Sequence, residues 1–527
     1  MRIPFLTLSL VLMYPVRFVY VNLHVRVALL SYSLIVLTTV VLYLLACDPL
    51  PPCAGKVRAW LRGSAPARVP APESSGGVGS SRVRLALLAV ALAVTTAGAQ
   101  IPQSAYPARR AAAMARIGSD VLIVPARASF LADDQLGFVQ AADFQYLTGL
   151  DELIGAVLVI DGSASTATLF VGPRNPLLTR GVIAPGAESA RRLQLSGVQP
   201  VETLEPWLRQ RFARIASTVY VAPTDARSPV AAPLPMAGSV ARWQAWLGSL
   251  GAGRVTSAVE VLRPLRDIKD AAEMAVLRQV GRTSGEAFLA GLRALAPGKW
   301  QHDTELAVVN ACRAAGARSV SFWPWTMSGP NADFNALWNT FLAYDHADRQ
   351  MKAGEVVRVD VGCQVDHYMG DVGRTAPVSG TFTEGQREAW DLFIAGYREG
   401  LKAIKDRAGA RTVYAAALAE VRRRAPSLQT GQGRRAAEML LGPKGTDAWE
   451  LHGVGLDDAE GLPEMLRAGM VVAYELMFTV DGDGFYLEDM IAVTSDGYEM
   501  VTPGLPYTAR EIEMAMAADA APRRERW

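Results

Sequence analysis

Apolar and polar positions divide the chain into two stretches with different rhythms, behind an N-terminal region unlike either. Between about residues 104 and 258, short β-branched runs stand between turn residues and predict strands: VLIVP (121–125), AVLVI (156–160), TLFV (168–171) and VYVAP (219–223). Charged, Leu-containing stretches at 186–195 and 203–215 predict helices between them, so this part reads as an α/β domain. A Pro/Ala/Ser-rich patch at 224–240 predicts a loop, and 248–253 a linker. A second domain is expected over 263–510. There Met274, Leu277, Phe288, Leu292 and Leu295 follow a helical repeat that stops at Pro297-Gly298. A further helix from about Gln386 buries Trp390, Phe393, Ile394, Tyr397 and Leu401, and strand patterns fill 355–362, 367–378, 470–480 and 485–494.

The first 99 residues carry two apolar segments. Residues 27–47 form an uncharged run behind Arg17 and Arg26, long enough to cross a bilayer with its N-terminal end in the cytoplasm. Farther on, Arg82 and Arg84 precede LALLAVALAV (85–94), and Ala97-Gly98-Ala99 supplies a small-residue cleavage site, so 78–99 has the build of a secretory signal. Two such segments in tandem are redundant, and translation is expected to start near Val78, the alternative being a membrane anchor at 27–47. Either way the remainder is expected outside the cytoplasm, periplasmic, secreted or membrane-anchored.

Composition narrows the classes. Lys and Arg number 53 against 51 Asp and Glu, a net charge of +2 that gives no electrostatic reason to expect a nucleic-acid partner. Half of the residues are hydrophobic, enough for a large core and against disorder. Four cysteines are too few for a disulfide scaffold and lack zinc-ribbon spacing, and Cys312 and Cys363 are expected as small buried thiols.

The chemistry lies in the second domain. In VVRVDVG (356–362) the valines at 357, 359 and 361 share one face and Asp360 takes the other. YMGDVGRT (368–375) supplies Asp371 on the expected paired strand, so both carboxylates can face one pocket. Glu475 interrupts VVAYELMF (471–478), Glu488 interrupts YLEDMIAV (486–493), and His452 sits among glycines in LHGVGL (451–456). Buried carboxylates repel one another and desolvate at high cost, and a cation between them resolves both problems. Four carboxylates and an imidazole suit two divalent ions, manganese first, with zinc or cobalt as alternatives.

The ordered set Asp360, Asp371 with Arg374-Thr375, His452 in HGVGL, Glu475, and Glu488-Asp489 with VTSDG (493–497) resembles the metal-ligand signature of the pita-bread metallopeptidases. RPLRDIKDAAEMAVLR (263–278) resembles the opening helix of their catalytic domain, and DFQYLTGLDE (143–152) resembles part of the N-terminal domain of aminopeptidase P and prolidase. The resemblance implies an α/β (α+β) architecture, a creatinase-like domain followed by a pita-bread domain. It also implies hydrolysis of short peptides, as an Xaa-Pro aminopeptidase or dipeptidase, and a homodimer. Asp360 would chelate one metal, Asp371 and Glu488 would bridge the pair, and His452 and Glu475 would bind the other. Glu475 would also take a proton from the attacking water between the metals.

Two pocket histidines usual in such peptidases are missing. HGVGLDDAE (452–460) has Ala459 where one is expected, and SGPNADFNALW (328–338) has none. His346 and Trp338 are the candidate substrate-binding substitutes. His367 is expected to point away from Asp371, Asp457 and Asp458 to lie in a solvated turn, and Tyr486 stands where an Arg often precedes the last Glu. These departures leave two alternatives open: hydrolysis of a different amide or ester, or a non-catalytic metal-binding scaffold.

Overall fold

The computed structural model describes residues 99–127, 139–172, 183–222, 240–333, 347–462 and 464–517. The expected anchor at 27–47, the signal at 78–99 except its last residue, and Trp338 and His346 lie outside the described residues. No helix among the described residues is long and apolar enough to cross a membrane.

The first half runs α1 (Ala105–Ile117), β1 (Val121–Pro125), α2 (Ala142–Thr148), β2 (Val157–Asp161), β3 (Thr166–Val171), α3 (Ala187–Leu193), β4 (Gly197–Pro200), α4 (Leu204–Arg214), β5 (Thr218–Val221), α5 (Val240–Ser249), β6 (Arg254–Ser257) and α6 (Val259–Asp267). Its sheet is mixed, in the order β4-β3-β2-β1-β5-β6. The four apolar runs all form strands, and both charged stretches form helices. β4 and β6 were not visible as patterns because these edge strands are short and little buried.

The second half runs α7 (Ala271–Ala294), α8 (Gln301–Ala314), β7 (Ser319–Val320), β8 (Trp325–Ser328), β9 (Val356–Val361), β10 (Cys363–Gln364), β11 (Val372–Pro377), α9 (Glu384–Ala403), α10 (Ala410–Arg424), α11 (Gly431–Leu441), β12 (Trp449–Gly453), β13 (Val471–Val480), β14 (Asp483–Val493), β15 (Tyr498–Met500) and α12 (Ala509–Ala517). Its main sheet is antiparallel, ordered β12-β13-β14-β11-β9-β8, with β15 on β14. The start of α7 is fixed by a capping box. Asp270 accepts from the amides of Ala272 and Glu273, and Glu273 accepts from the amide of Asp270.

The back of this sheet is built by α9. Phe393 stacks on Phe478 and Phe485, and Tyr397 on Tyr474. The same face buries Asp489, which would be costly alone. Arg374 pairs with it at 2.8 Å, and the hydroxyls of Tyr397, Tyr507 and Thr502 donate to it. Strand alternation separates Glu488 from Asp489, sending one to each face.

The pattern expected as one strand over 367–378 divides into two parts. Asp366 and His367 adopt left-handed backbone (φ 45° and 70°), and the bridge between Val365 and Tyr368 closes a tight turn. Regular pairing with β9 therefore begins only at Val372, one residue after Asp371.

The halves are joined by ion pairs, most of them with at least one buried or half-buried partner. Arg109 of α1 lies 3.1 Å from Asp270 and 3.4 Å from Glu273, while Tyr368 donates to Glu273. Arg266 binds Asp143 of α2 and also Asp457 and Glu460, and Lys269 adds a second contact to Glu460.

The cysteine expectation is corrected here. Cys312 of α8 and Cys363 of β10 are joined in a disulfide, with Cα atoms 5.6 Å apart. Sequence spacing could not show this, because 51 residues separate the two and a folded sheet brings them together. Replacing both by serine should lower unfolding free energy by about 2–4 kcal/mol, measured by denaturant titration. An unchanged midpoint would show that the pair is not cross-linked.

Candidate metal centre

Antiparallel register lines up the predicted ligands. Asp360 of β9 faces Gly373 of β11, Gly373 faces Glu488 of β14, and Glu488 faces Glu475 of β13. Residues directly opposite in antiparallel strands share a face, so three carboxylates and a glycine form one row across four strands. Asp371 lies two positions before Gly373 on the same side. His452 of β12 is opposite Ala473, two positions before Glu475, and joins the same face. The structure therefore brings all five residues to one side of the sheet.

Three of them are in closest reach. Ligand atoms of Asp371, His452 and Glu488 lie within 4.8 Å of one another. His452 Nε2 is 3.4 Å from Glu488, 3.8 Å from Asp371 and 3.9 Å from Glu475. Asp360 flanks Glu488 on the other side, and the charge of Glu488 raises the cost of ionising it. All four carboxylates are less than a tenth exposed.

Burial pushes Asp360 up to about 8, with the charge of Glu488 adding to it and Arg358 opposing. Glu475 is likewise pushed up to about 8 by burial and Glu488. Asp371 is held well above the usual carboxylate range by burial and by Glu488 and Asp360. Glu488 goes the other way, because His452 and hydrogen bonds from Asp371 and Tyr486 overcome its burial. Burial pulls the His452 imidazole down, but Glu488 and Glu475 outweigh it and push it up to about 10.

This face fits divalent cations on two observations. The donors are hard oxygens with one imidazole. Asp360 Oδ1 is also buried without any hydrogen-bond partner, and Glu488 Oε1 has only His452 Nε2 at 3.4 Å, a costly state that a cation relieves.

Other predicted residues fall elsewhere. His367 contacts Asp151 at 3.3 Å and Arg318, away from the carboxylates. Asp457 and Asp458 are not in a solvated turn. Both are half-buried, because Arg266 and Lys269 pull the 457–460 segment against the junction of the two halves. Asp457 is neutralised by Arg266, whereas Asp458, with burial and Asp457 pushing it up to about 6, also feels His452. Sequence reasoning overlooked Arg358, two residues before Asp360 and so on its face. The signal was present as a charge inside VVRVDVG.

The pKa directions fix a pH dependence. Without metal, the folded chain keeps protons on Asp360 and Glu475 up to about pH 8 that an unfolded chain releases near pH 4. Stability contributed by these groups is therefore lost as pH rises through that window, and His452 acts in the same direction up to about 10. Metal binding needs these groups deprotonated. Saturating manganese should thus raise Tm more at pH 8 than at pH 6, measured by thermal unfolding; an equal or smaller rise at pH 8 would contradict this assignment.

Comparison with known proteins agrees with this geometry. The profile of metallopeptidase family M24 matches residues 275–495, and that of the aminopeptidase P N-terminal domain matches residues 106–220. The Xaa-Pro aminopeptidase of Haemophilus influenzae is 23% identical over 405 residues, covering 72% of this chain and 88% of that protein. Xaa-Pro aminopeptidase 2 of Streptomyces coelicolor is 29% identical over 282 residues, 49% of this chain and 58% of its own length. Aminopeptidase PepP from Pseudomonas aeruginosa has the same fold, with a TM-score of 0.64 at 24% identity over 80% of this chain and all of that one. An aminopeptidase P-type domain in front of an M24 catalytic domain, with the ligand row in the second, identifies the chain as a member of the pita-bread metallopeptidases of family M24.

Proposed function

We propose that the chain is an Xaa-Pro aminopeptidase that acts on short peptides, with two divalent ions held by Asp360, Asp371, His452, Glu475 and Glu488. The observation that carries this reading is the shared sheet face on which four buried carboxylates and one imidazole converge. The relatives named Xaa-Pro aminopeptidase support the substrate class. The oxygen-rich donor set supports manganese over zinc or cobalt.

When bound, the metal pair supplies Lewis-acid polarisation of the scissile carbonyl and an acidified water. The chain supplies the rest. Glu475, opposite Glu488, is placed to take and hold a proton at its carboxylate. Burial of the ligand face excludes bulk water and strengthens each charge interaction there. The half-buried Asp458 keeps a carboxylate beside this face without an ion-pair partner among the described residues.

We further propose that the folded part works outside the cytoplasm. The disulfide between Cys312 and Cys363 supports this, since such bonds persist in oxidising compartments, as does the signal-like pattern at 78–99. Assembly as a homodimer rests on the family likeness, and the apolar run at 27–47 supports an anchor if it is translated.

The test is a panel of short Xaa-Pro peptides with manganese, using Asp371→Ala as the blank. Release of the single N-terminal residue, absent in the blank, is expected. Release only from dipeptides would make the enzyme a dipeptidase. Stoichiometric bound metal without any cleavage would overturn the peptidase reading in favour of another amide or ester.

A further inference from the structure

Beside the carboxylate row runs a second row on the same face. Arg358 lies two residues before Asp360 and opposite Met327, while Tyr486 lies two before Glu488 and opposite Met477. Both side chains are almost wholly buried. The Tyr486 hydroxyl donates to Glu488 Oε2. The Arg358 guanidinium lies 4.6 Å from the centre of the Tyr486 ring, and its Nη2 is 3.6 Å from Asp360 Oδ2. A continuous path thus joins two predicted ligands on different strands: Asp360, Arg358, Tyr486, Glu488.

The sheet is shaped to hold this path. Gly373 sits between Asp360 and Glu488 in the carboxylate row, and a Cβ there would fall 2.1 Å from Tyr486 Cε1. The missing side chain is the space that the phenol ring fills, which is why a glycine stands inside a fully buried strand. On the far side of the guanidinium, Arg358 Nη1 lies 3.0 Å from Met477 Sδ. Arg358 is thus held between a ring, a thioether and a carboxylate.

The two carboxylates are left in matching states. Glu488 has Oε2 tied to Tyr486 and Oε1 turned to His452 Nε2 at 3.4 Å; Asp360 has Oδ2 near Arg358 and Oδ1 without a hydrogen-bond partner. In each case one oxygen is held by Tyr486 or Arg358 and the other is turned away from them.

We propose that Arg358 and Tyr486, seated over Gly373, form a positioning clamp that fixes which oxygens of Asp360 and Glu488 face the metals. The inference rests on the metal-centre reading above and adds these two residues to it. Neither is a catalytic residue: both are almost wholly buried and act through the carboxylates they hold. Partners that orient metal ligands typically contribute about 10–100-fold in affinity.

Manganese(II) titration of the metal-free full chain, followed by the electron paramagnetic resonance of the free ion, tests the clamp. The wild-type chain should bind two ions. Tyr486→Phe, which removes only the hydroxyl, should weaken binding of at least one ion by about 10–100-fold while metal-free Tm stays near wild type. Arg358→Met should weaken it similarly, and the double variant should lose little more than either single one, as expected of two parts of one device. If wild type binds no manganese, the metal-centre reading fails. If wild type binds and Tyr486→Phe binds equally well, or loses affinity only in step with its metal-free stability, or if the two losses multiply as independent effects, the clamp is overturned.

Discussion

Mutual repulsion among buried carboxylates is the constraint on which the rest of this structure depends. Asp360, Asp371, Glu475 and Glu488 lie on one face of one sheet with a single imidazole among them. Burial alone pushes most of them towards their neutral forms, and only Glu488, bonded by His452, Asp371 and Tyr486, resists. Such a face is unfavourable as a purely structural element, because replacing buried charges by apolar groups of similar volume is often neutral or stabilising. Its cost makes sense as preparation for cations.

The surrounding architecture handles that cost by segregation. The opposite face of the same strands buries Asp489, but there the charge is fully partnered by Arg374 and three hydroxyls. One strand therefore carries a satisfied acid and an unsatisfied one at adjacent positions. The satisfied acid locks β14 onto β11 and α9, and the unsatisfied one points to the site. The N-terminal half contributes from a distance: Arg266 and Lys269 hold the segment that follows His452, so that the two halves meet at the edge of the ligand face.

Much of this was legible in the sequence, for reasons that can be named. Period-two alternation placed Asp360, Glu475 and Glu488 on strand faces, and the order of the ligands with their neighbours carried the family likeness. The regular strands and the long helices α7 and α9 followed from their apolar periods. What stayed hidden depends on contacts across long sequence separations. Cys312 meets Cys363 because α8 packs against β7, the strand that pairs with β10. The turn that delays β11 needs two left-handed non-glycine residues, which no local rule predicts. Asp457 and Asp458 looked like a solvated turn because Arg266, nearly two hundred residues away, supplies the burial. Gly373 and Tyr486 gave separate hints, but only the sheet register shows that one makes room for the other.

The carboxylate row, taken as a two-cation centre, is open to direct observation. Anomalous scattering at the manganese edge, from crystals of the full chain loaded with manganese, tests it most directly. Two peaks about 3.5–4 Å apart are expected, both within ligand reach of Glu488 and Asp371. A face without any peak, or a single peak displaced from these residues, would contradict it.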